Sequence, residues 1–289
     1  MQTAIQNALT IDVEDYFQVA ALAEAVGRDN WHSMEYRVEA NTDRLLELFD
    51  RHQIKATFFT LGWVAEKSPS LVRRIRTAGH EIASHGYSHQ LIYNQTPEVF
   101  REETHRSKNI LENIIGEPIY GYRAASYSIT SKSRWALDVL CEEGFTWDSS
   151  IFPVHHDRYG MPGTPFAPYQ LQAPNGGILT EFPLSTCPLG SYRLPIAGGG
   201  YFRLFPYWLS RWGLGRINKS GQPFIFYLHP WEIDTGQPRL KVKALSRFRH
   251  YNNIDKCMKR LETLLGDFRF APVSSVLSEV TIPSTAVVV

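Results

Sequence analysis

The feature that most narrows the fold is an alternation, sustained over most of the chain, of short apolar runs with amphipathic helical patterns. ALTIDV (8–13), KATFFTLG (55–62), HEIASH (80–85), IYGYRAAS (119–126), FTWDSS (145–150), FIFYLHPWEI (224–233) and FRFAPVSSV (268–276) read as strands. Between them, TDRLLELFDRHQ (42–53) puts Leu45, Leu46 and Phe49 on one helical face behind Asn41 or Thr42 as N-cap. SPSLVRRIRTAGH (68–80) offers Ser68 as cap, Pro69 at the first helical position and Gly79 at the end. TPEVFREETHRSKNILENIIG (96–116), SKSRWALDVLCEEG (131–144) and NIDKCMKRLETLLG (253–266) are further helices, each ending in Gly. Parallel strands need crossover connections, so alternating β and α units imply a mainly parallel sheet with right-handed crossovers. Seven or so strands point to an α/β fold, a distorted (β/α)7 barrel.

Residues 151–222 break the rhythm with clustered Pro, Gly and aromatics (PGTPFAP, APNGG, IAGGGYF). They read as a loop-rich insertion before the last strands, with a hairpin and a short helix near 206–217. Residues 1–280 then form one domain, long enough to bury a sizeable core, and 281–289 a flexible tail.

Thirty basic against 29 acidic residues leave a formal charge of +1, so no electrostatic footprint for nucleic acid is visible. Cys141, Cys187 and Cys257 are far apart and outside any CxxC pattern, which disfavours a disulfide framework and a structural zinc site. MQTAIQNALTIDVED has no basic n-region or long apolar run, and no window supplies a transmembrane segment. The expected setting is cytoplasmic.

The polar residues that follow the strands are the functional candidates. Asp12, Glu14 and Asp15 close the first strand, His85 and His89 follow the third, and Arg123, Asp148 and His229 end later ones. Taken alone, each has a plain alternative: an acidic turn, a surface arginine, a hydrogen-bonded core histidine, or an N-cap. In barrels of this kind, however, the C-terminal strand ends form one rim, so five elements would deliver acids, imidazoles and a guanidinium to a single site. Two imidazoles and a carboxylate suit a divalent metal with open positions, Zn2+ first and Co2+, Fe2+, Ni2+ or Mn2+ as alternatives. A second carboxylate can act as general base beside the metal's water, and a histidine opposite can protonate a leaving amine. That is the equipment of a metal-assisted amide hydrolase.

In this order DVED, SHGYSH, GYRAAS, WDSS and FYLHPWE resemble the five motifs of the polysaccharide deacetylases of the NodB-homology class, carbohydrate esterase family four. The resemblance covers about residues 8–275 and is closest to the exopolysaccharide-locus branch associated with PEP-CTERM sorting. It implies Asp12 as general base, His85, His89 and either Glu14 or Asp15 as metal ligands, and Arg123 paired with the catalytic Asp. It also implies His229 as general acid, with Asp148 orienting it. The backbone N–H near Ser126 would help hold the oxyanion, with Tyr127 and Trp231 on the substrate side. The implied partner is a carbohydrate bearing N-acetyl groups: a polysaccharide, an oligosaccharide or a lipid-linked precursor.

Three positions depart from the family pattern. Gly86 replaces a Ser or Thr between the histidines, Ala125 replaces proline in the arginine motif, and Pro230-Trp231 follows His229. The Ala125 departure leaves room for a non-catalytic carbohydrate-binding or scaffold protein. A metal-independent, allantoinase-like amidohydrolase would lack the two histidines that this chain keeps. Outside the motifs, HHDRYG (155–160) and the insertion's aromatics read as sugar-stacking walls or as packing. Arg249 and His250 in RFRHYNN read as contacts to a sugar or acidic group, or as the start of a rim helix.

Overall fold

The computed structural model describes residues 5–156, 159–190 and 192–288. In chain order the elements are β1 (Gln6–Val13), α1 (Val38–Arg51), β2 (Thr57–Thr60), α2 (Gly62–Lys67), α3 (Pro69–Thr77), β3 (Glu81–Ser84), α4 (Pro97–Ile115), β4 (Gly121–Tyr122), α5 (Trp135–Glu142) and β5 (Trp147–Asp148). There follow β6 (Tyr169–Gln172), β7 (Ile178–Glu181), β8 (Thr186–Leu189), β9 (Tyr192–Pro195), α6 (Gly199–Leu204), α7 (Tyr207–Lys219) and β10 (Ile225–Leu228). The chain closes with α8 (Ala244–Tyr251), α9 (Ile254–Asp267), β11 (Arg269–Ala271), α10 (Val273–Glu279) and β12 (Val287–Val288).

The main sheet runs β10-β1-β2-β3-β4-β5-β7-β6-β12, with β11 also paired to β1. Its ladders are parallel except β6–β7. The order from β10 to β5 is compatible with the expected (β/α)7 barrel, although among the described residues no ladder joins its two ends.

Strand alternation divides the core in two. Leu9, Ile11 and Val13 of β1 pack toward the helices with Phe58, Leu45 and Phe49. Ala8 faces the other way, with Phe59, Ala83, Trp147, Ile225 and Tyr227. Thr10 and Asp12 continue the Ala8 side, so this inner core ends in an acid at the C-terminal end of β1. Gly121 is required here, because a Cβ would lie 1.9 Å from the Trp147 ring.

Several expectations need correction. Helix α1 starts at Val38, with Arg37 at the N-cap position, rather than after Asn41 or Thr42. The orphan amides at its start are satisfied from outside: Asp15 Oδ2 accepts from Arg37 N–H at 2.6 Å and Val38 N–H at 2.9 Å. Ser68 precedes α3 but does not cap it; its hydroxyl donates to Glu39 instead. Strand β4 is two residues long because the chain turns at 125–127. The segment 151–222 contains two hairpins and two helices, and β6 and β7 extend the main sheet. In 268–276 the strand stops at Ala271, and α10 begins after Pro272. Within the segment read as a flexible tail, Val287–Val288 lie parallel to β6.

Candidate active site

Asp12 is 2 % exposed at the end of β1, and its partner is the fully buried Arg123. Arg123 Nη1 donates to Asp12 Oδ1 at 2.6 Å and to Thr10 Oγ1 at 2.8 Å. Its other nitrogens reach the Ser149 carbonyl at 3.2 Å and hydroxyl at 3.0 Å, and its carbon lies 4.0 Å over the Phe59 ring. A guanidinium held by this many partners has one orientation, and it fixes the Asp12 carboxylate with it.

His85 follows β3, and His89 lies in the loop beyond with a positive φ of 52° rather than on a helix turn. Gly86 between them has φ 71°, a backbone position that favours glycine over the Ser or Thr of the family pattern. His85 Nδ1 pairs with the Arg123 carbonyl at 2.8 Å, so Nδ1 is the protonated nitrogen and Nε2 is left as a lone-pair donor toward the site. Burial pushes His85 down to about 4, and the neighbouring His89 adds to this against the pull of Asp12 and Glu14. A neutral imidazole is the form that binds metal.

Glu14, His85 and His89 place ligand atoms within 4.8 Å of one another. Glu14 Oε2 lies 2.7 Å from His89 Nε2 yet has no aligned hydrogen-bond donor, although it is buried. An orphaned carboxylate oxygen beside two imidazole nitrogens is what a site built for a cation presents, and the donor set fits Zn2+ or a similar divalent ion. Burial would raise the Glu14 pKa, but His89, His229 and His85 together hold it at about 2. Asp15, the alternative carboxylate, points elsewhere. It accepts from the amides of Tyr16, Arg37 and Val38, and so belongs to the start of α1.

His229 follows β10 and is 17 % exposed, with Nε2 3.7 Å from Asp12 Oδ2 and 3.5 Å from Glu14 Oε1. Its orienting partner is not Asp148. His229 Nδ1 meets Glu232 Oε1 at 2.7 Å, and the same oxygen accepts from the His229 backbone N–H at 3.1 Å. Glu232 Oε2 in turn takes Arg203 Nε at 2.5 Å. Arg203 also donates to the carbonyls of Arg249, His250 and Asn252. Burial alone would lower the His229 pKa, but Glu14, Glu232 and Asp12 raise it to about 9. Asp148 sits on the adjoining strand pair, bonded to Ser150 Oγ at 2.6 Å and facing Glu181. The sequence reading missed Glu232 and Arg203. The H-x-x-E spacing of a 3-10 turn with a capping box was the available signal.

The Ala125 loop is tied down without proline. Ser150 Oγ accepts from Ala124 N–H at 2.8 Å, and Ser128 Oγ donates to the Ala125 carbonyl at 2.6 Å. Ser126 and Tyr127, both with positive φ, line a cavity of about 220 Å³ with Asp12, Glu14, His229 and Trp231. Trp231 donates to Glu14 Oε1 at 3.3 Å and is stacked between His229 and His250, so it is both wall and support. His250 is buried against it, while Arg249 reaches the cavity wall. His156 stacks on Tyr159 at 3.8 Å; Asp157 and Arg158 of the HHDRYG run lie outside the described residues.

Residues 29–140 match the family model Polysaccharide deacetylase, and residues 149–278 match a model described as Domain of unknown function (DUF3473). The chain is 37% identical over 120 residues to a peptidoglycan-N-acetylglucosamine deacetylase of Bacillus cereus, covering 37% of this chain and 44% of that protein. It is 28% identical over 134 residues to a peptidoglycan deacetylase of Helicobacter pylori, covering 46% of this chain and 41% of that protein. The chain thus spans less than half the length of these curated relatives. A solved Mycobacterium smegmatis structure, assigned as a polysaccharide deacetylase, superposes with TM-score 0.65 at 21% identity over 99% of this chain and 96% of that one, a likeness of fold. The family match takes in His85, His89 and Arg123, while Asp12, Glu14 and His229 flank it.

Proposed function

We propose that the chain is a metal-dependent hydrolase that removes N-acetyl groups from an amino sugar of a polysaccharide, oligosaccharide or lipid-linked precursor. The observation that carries this is the facing of a fixed carboxylate and a charged imidazole, Asp12 and His229, beside the donor set Glu14, His85 and His89. The relatives' names, peptidoglycan deacetylases, add the N-acetylated glycan as substrate class.

When bound by Glu14, His85 and His89, a divalent ion such as Zn2+ would polarise the acetamide carbonyl and make water a stronger nucleophile. The protein residues do the rest. Asp12, held by Arg123, takes the proton of the attacking water as its oxygen bonds to the carbonyl carbon. His229, kept protonated by Glu232, gives its proton to the sugar nitrogen as the C–N bond breaks. Acetate and a free amine result. Trp231 and Tyr127 close the pocket round the acetyl group. A place in exopolysaccharide biosynthesis is part of the same reading, supported by the motif resemblance, and a cytoplasmic setting is proposed with it.

The test is acetate release from N-acetylglucosamine oligomers, with the protein metal-loaded and after chelation. Activity in the loaded protein alone supports the proposal; full activity after thorough metal removal overturns it.

A further inference from the structure

Leu245 and Phe248 of α8 are 60% and 52% exposed, and Leu204 of α6 is 44% exposed. All three line one groove of about 400 Å³, together with Leu91 and Tyr201. That groove shares Ser126, Tyr159, Tyr227 and Arg249 with the catalytic cavity, so it opens from the same mouth. The apolar side chains ride on a basic segment. RLKVKALSRFR (239–249) carries Arg239, Lys241, Lys243, Arg247 and Arg249 and no carboxylate, in a chain of net charge +1.

The two kinds of residue occupy one continuous rim. A depression of about 600 Å³ is lined by Arg239, Lys241, Lys243 and Arg247, with Glu24 as the acid in its wall. Lys243 reaches Glu24 at 2.7 Å between two largely exposed side chains, and Arg239 lies 4.5 Å over the Tyr251 ring. Arg247 and Phe248 both line a third depression of about 440 Å³ between the other two. Exposed leucine and phenylalanine set among cations, with little acid to balance them, have the chemistry of a surface that sits in the headgroup layer of an anionic bilayer. The hydrogen-bonding groups of the groove, Ser126, Tyr159, Tyr227 and Arg249, are those it shares with the catalytic cavity, while Leu204, Leu245 and Phe248 form its exposed apolar part.

We propose that the rim built on residues 239–249 docks the protein on an anionic lipid bilayer, with Leu204, Leu245 and Phe248 in the apolar layer and the cations at the phosphates. The docking stands independently of the deacetylase reading. Its consequence rests on that reading: the catalytic mouth faces the membrane, and the amino sugar is presented on a lipid carrier.

The experiment is flotation with vesicles of phosphatidylcholine alone and of phosphatidylcholine mixed with phosphatidylglycerol, at low and raised salt. The full chain should float with the mixed vesicles, weakly with the neutral ones, and less at raised salt. Each cation near an anionic surface contributes about fivefold in partitioning. Lys241→Glu with Arg247→Glu should therefore reduce binding more than about tenfold, and Leu245→Asp with Phe248→Asp should do likewise. Both double variants should keep the wild-type melting temperature and acetate release from soluble oligomers. No partitioning to the mixed vesicles, or variants that float like wild type, overturns the proposal. So does a Leu245/Phe248 variant that still binds while a soluble polyanion displaces it, which would mark a polyanion site instead. Loss of acetate release with vesicle binding intact would count against the deacetylase reading alone.

Discussion

Glu232 holds His229 by two contacts of one carboxylate oxygen, at 2.7 Å to Nδ1 and 3.1 Å to the backbone N–H. Its other oxygen is taken by Arg203. This charge stabilises the protonated imidazole, and with Glu14 and Asp12 it raises His229 to about 9. Removing it must make His229 lose its proton at lower pH. In Glu232→Gln the alkaline limb of the kcat profile should move down, and kcat at neutral pH should fall on the order of 10–100-fold. Asp148→Asn should leave that limb in place. The measurement is kcat against pH for the three proteins; a limb that moves with Asp148→Asn and not with Glu232→Gln would refute the assignment.

The metal carboxylate can be separated from its neighbour. Glu14 lies with His85 and His89, whereas Asp15 accepts from three backbone amides. Glu14→Gln and His89→Ala should lose bound metal after loading and desalting, read by elemental analysis. Asp15→Asn should keep it and be destabilised by about 1–2 kcal/mol, the scale of a lost helix cap. Metal retained by Glu14→Gln and lost by Asp15→Asn would reverse the reading.

These two cases mark what the sequence reveals and what it hides. Asp12, His85 and His229 are legible because each lies at the end of an apolar strand, with His89 in the loop just after His85, and strand ends in parallel α/β folds converge on one rim. Asp148 also ends a strand, but it faces Glu181 of the neighbouring strand rather than the mouth. Glu232 is hidden by residing after the strand, in a turn that folds it back onto His229. The start of α1 is illegible locally because its capping group comes from Asp15, 22 positions away. The hairpins of 169–195 carry β-forming residues among turn signals, and the density of Pro and Gly obscured them.

Arg203 couples this site to the fold. It is 1% exposed, and its bonds to Glu232 and to three carbonyls bring α6, the turn after β10 and the end of α8 together. Arg203→Met leaves the second oxygen of the buried Glu232 without its cation, with His229 as the remaining charged partner, and should cost about 3–5 kcal/mol. Adding Glu232→Gln should recover part of that loss, because the buried charge that Arg203 balanced is then gone. Urea denaturation of the two single variants and the double variant gives the coupling directly. Additive losses would show that Arg203 acts through the carbonyls alone.

Asp148 and Glu181 stand opposite one another on β5 and β7. Each has one oxygen engaged, Asp148 by Ser150 Oγ at 2.6 Å and Glu181 by Ile151 N–H at 2.9 Å. The other oxygen of each is buried without a further donor, so the pair is satisfied when one proton lies between them. Burial raises Asp148 to about 6, and burial with the Asp148 charge holds Glu181 well above the carboxyl range. Raised acids give stability that is full below the unfolded value and lost as pH rises through the folded one. The pair's own contribution should therefore be lost as pH climbs from about 4 through about 6 and beyond, while the buried His80 and His85, held down to about 4, contribute in the opposite sense over the same range. Glu181→Gln supplies an amide donor to ionised Asp148 in place of the shared proton, so the variant should gain in melting temperature relative to wild type over that range. The variant should match wild type near pH 5 and exceed it near pH 8 in thermal melts. Parallel curves across the range would mean that the two carboxyls titrate apart.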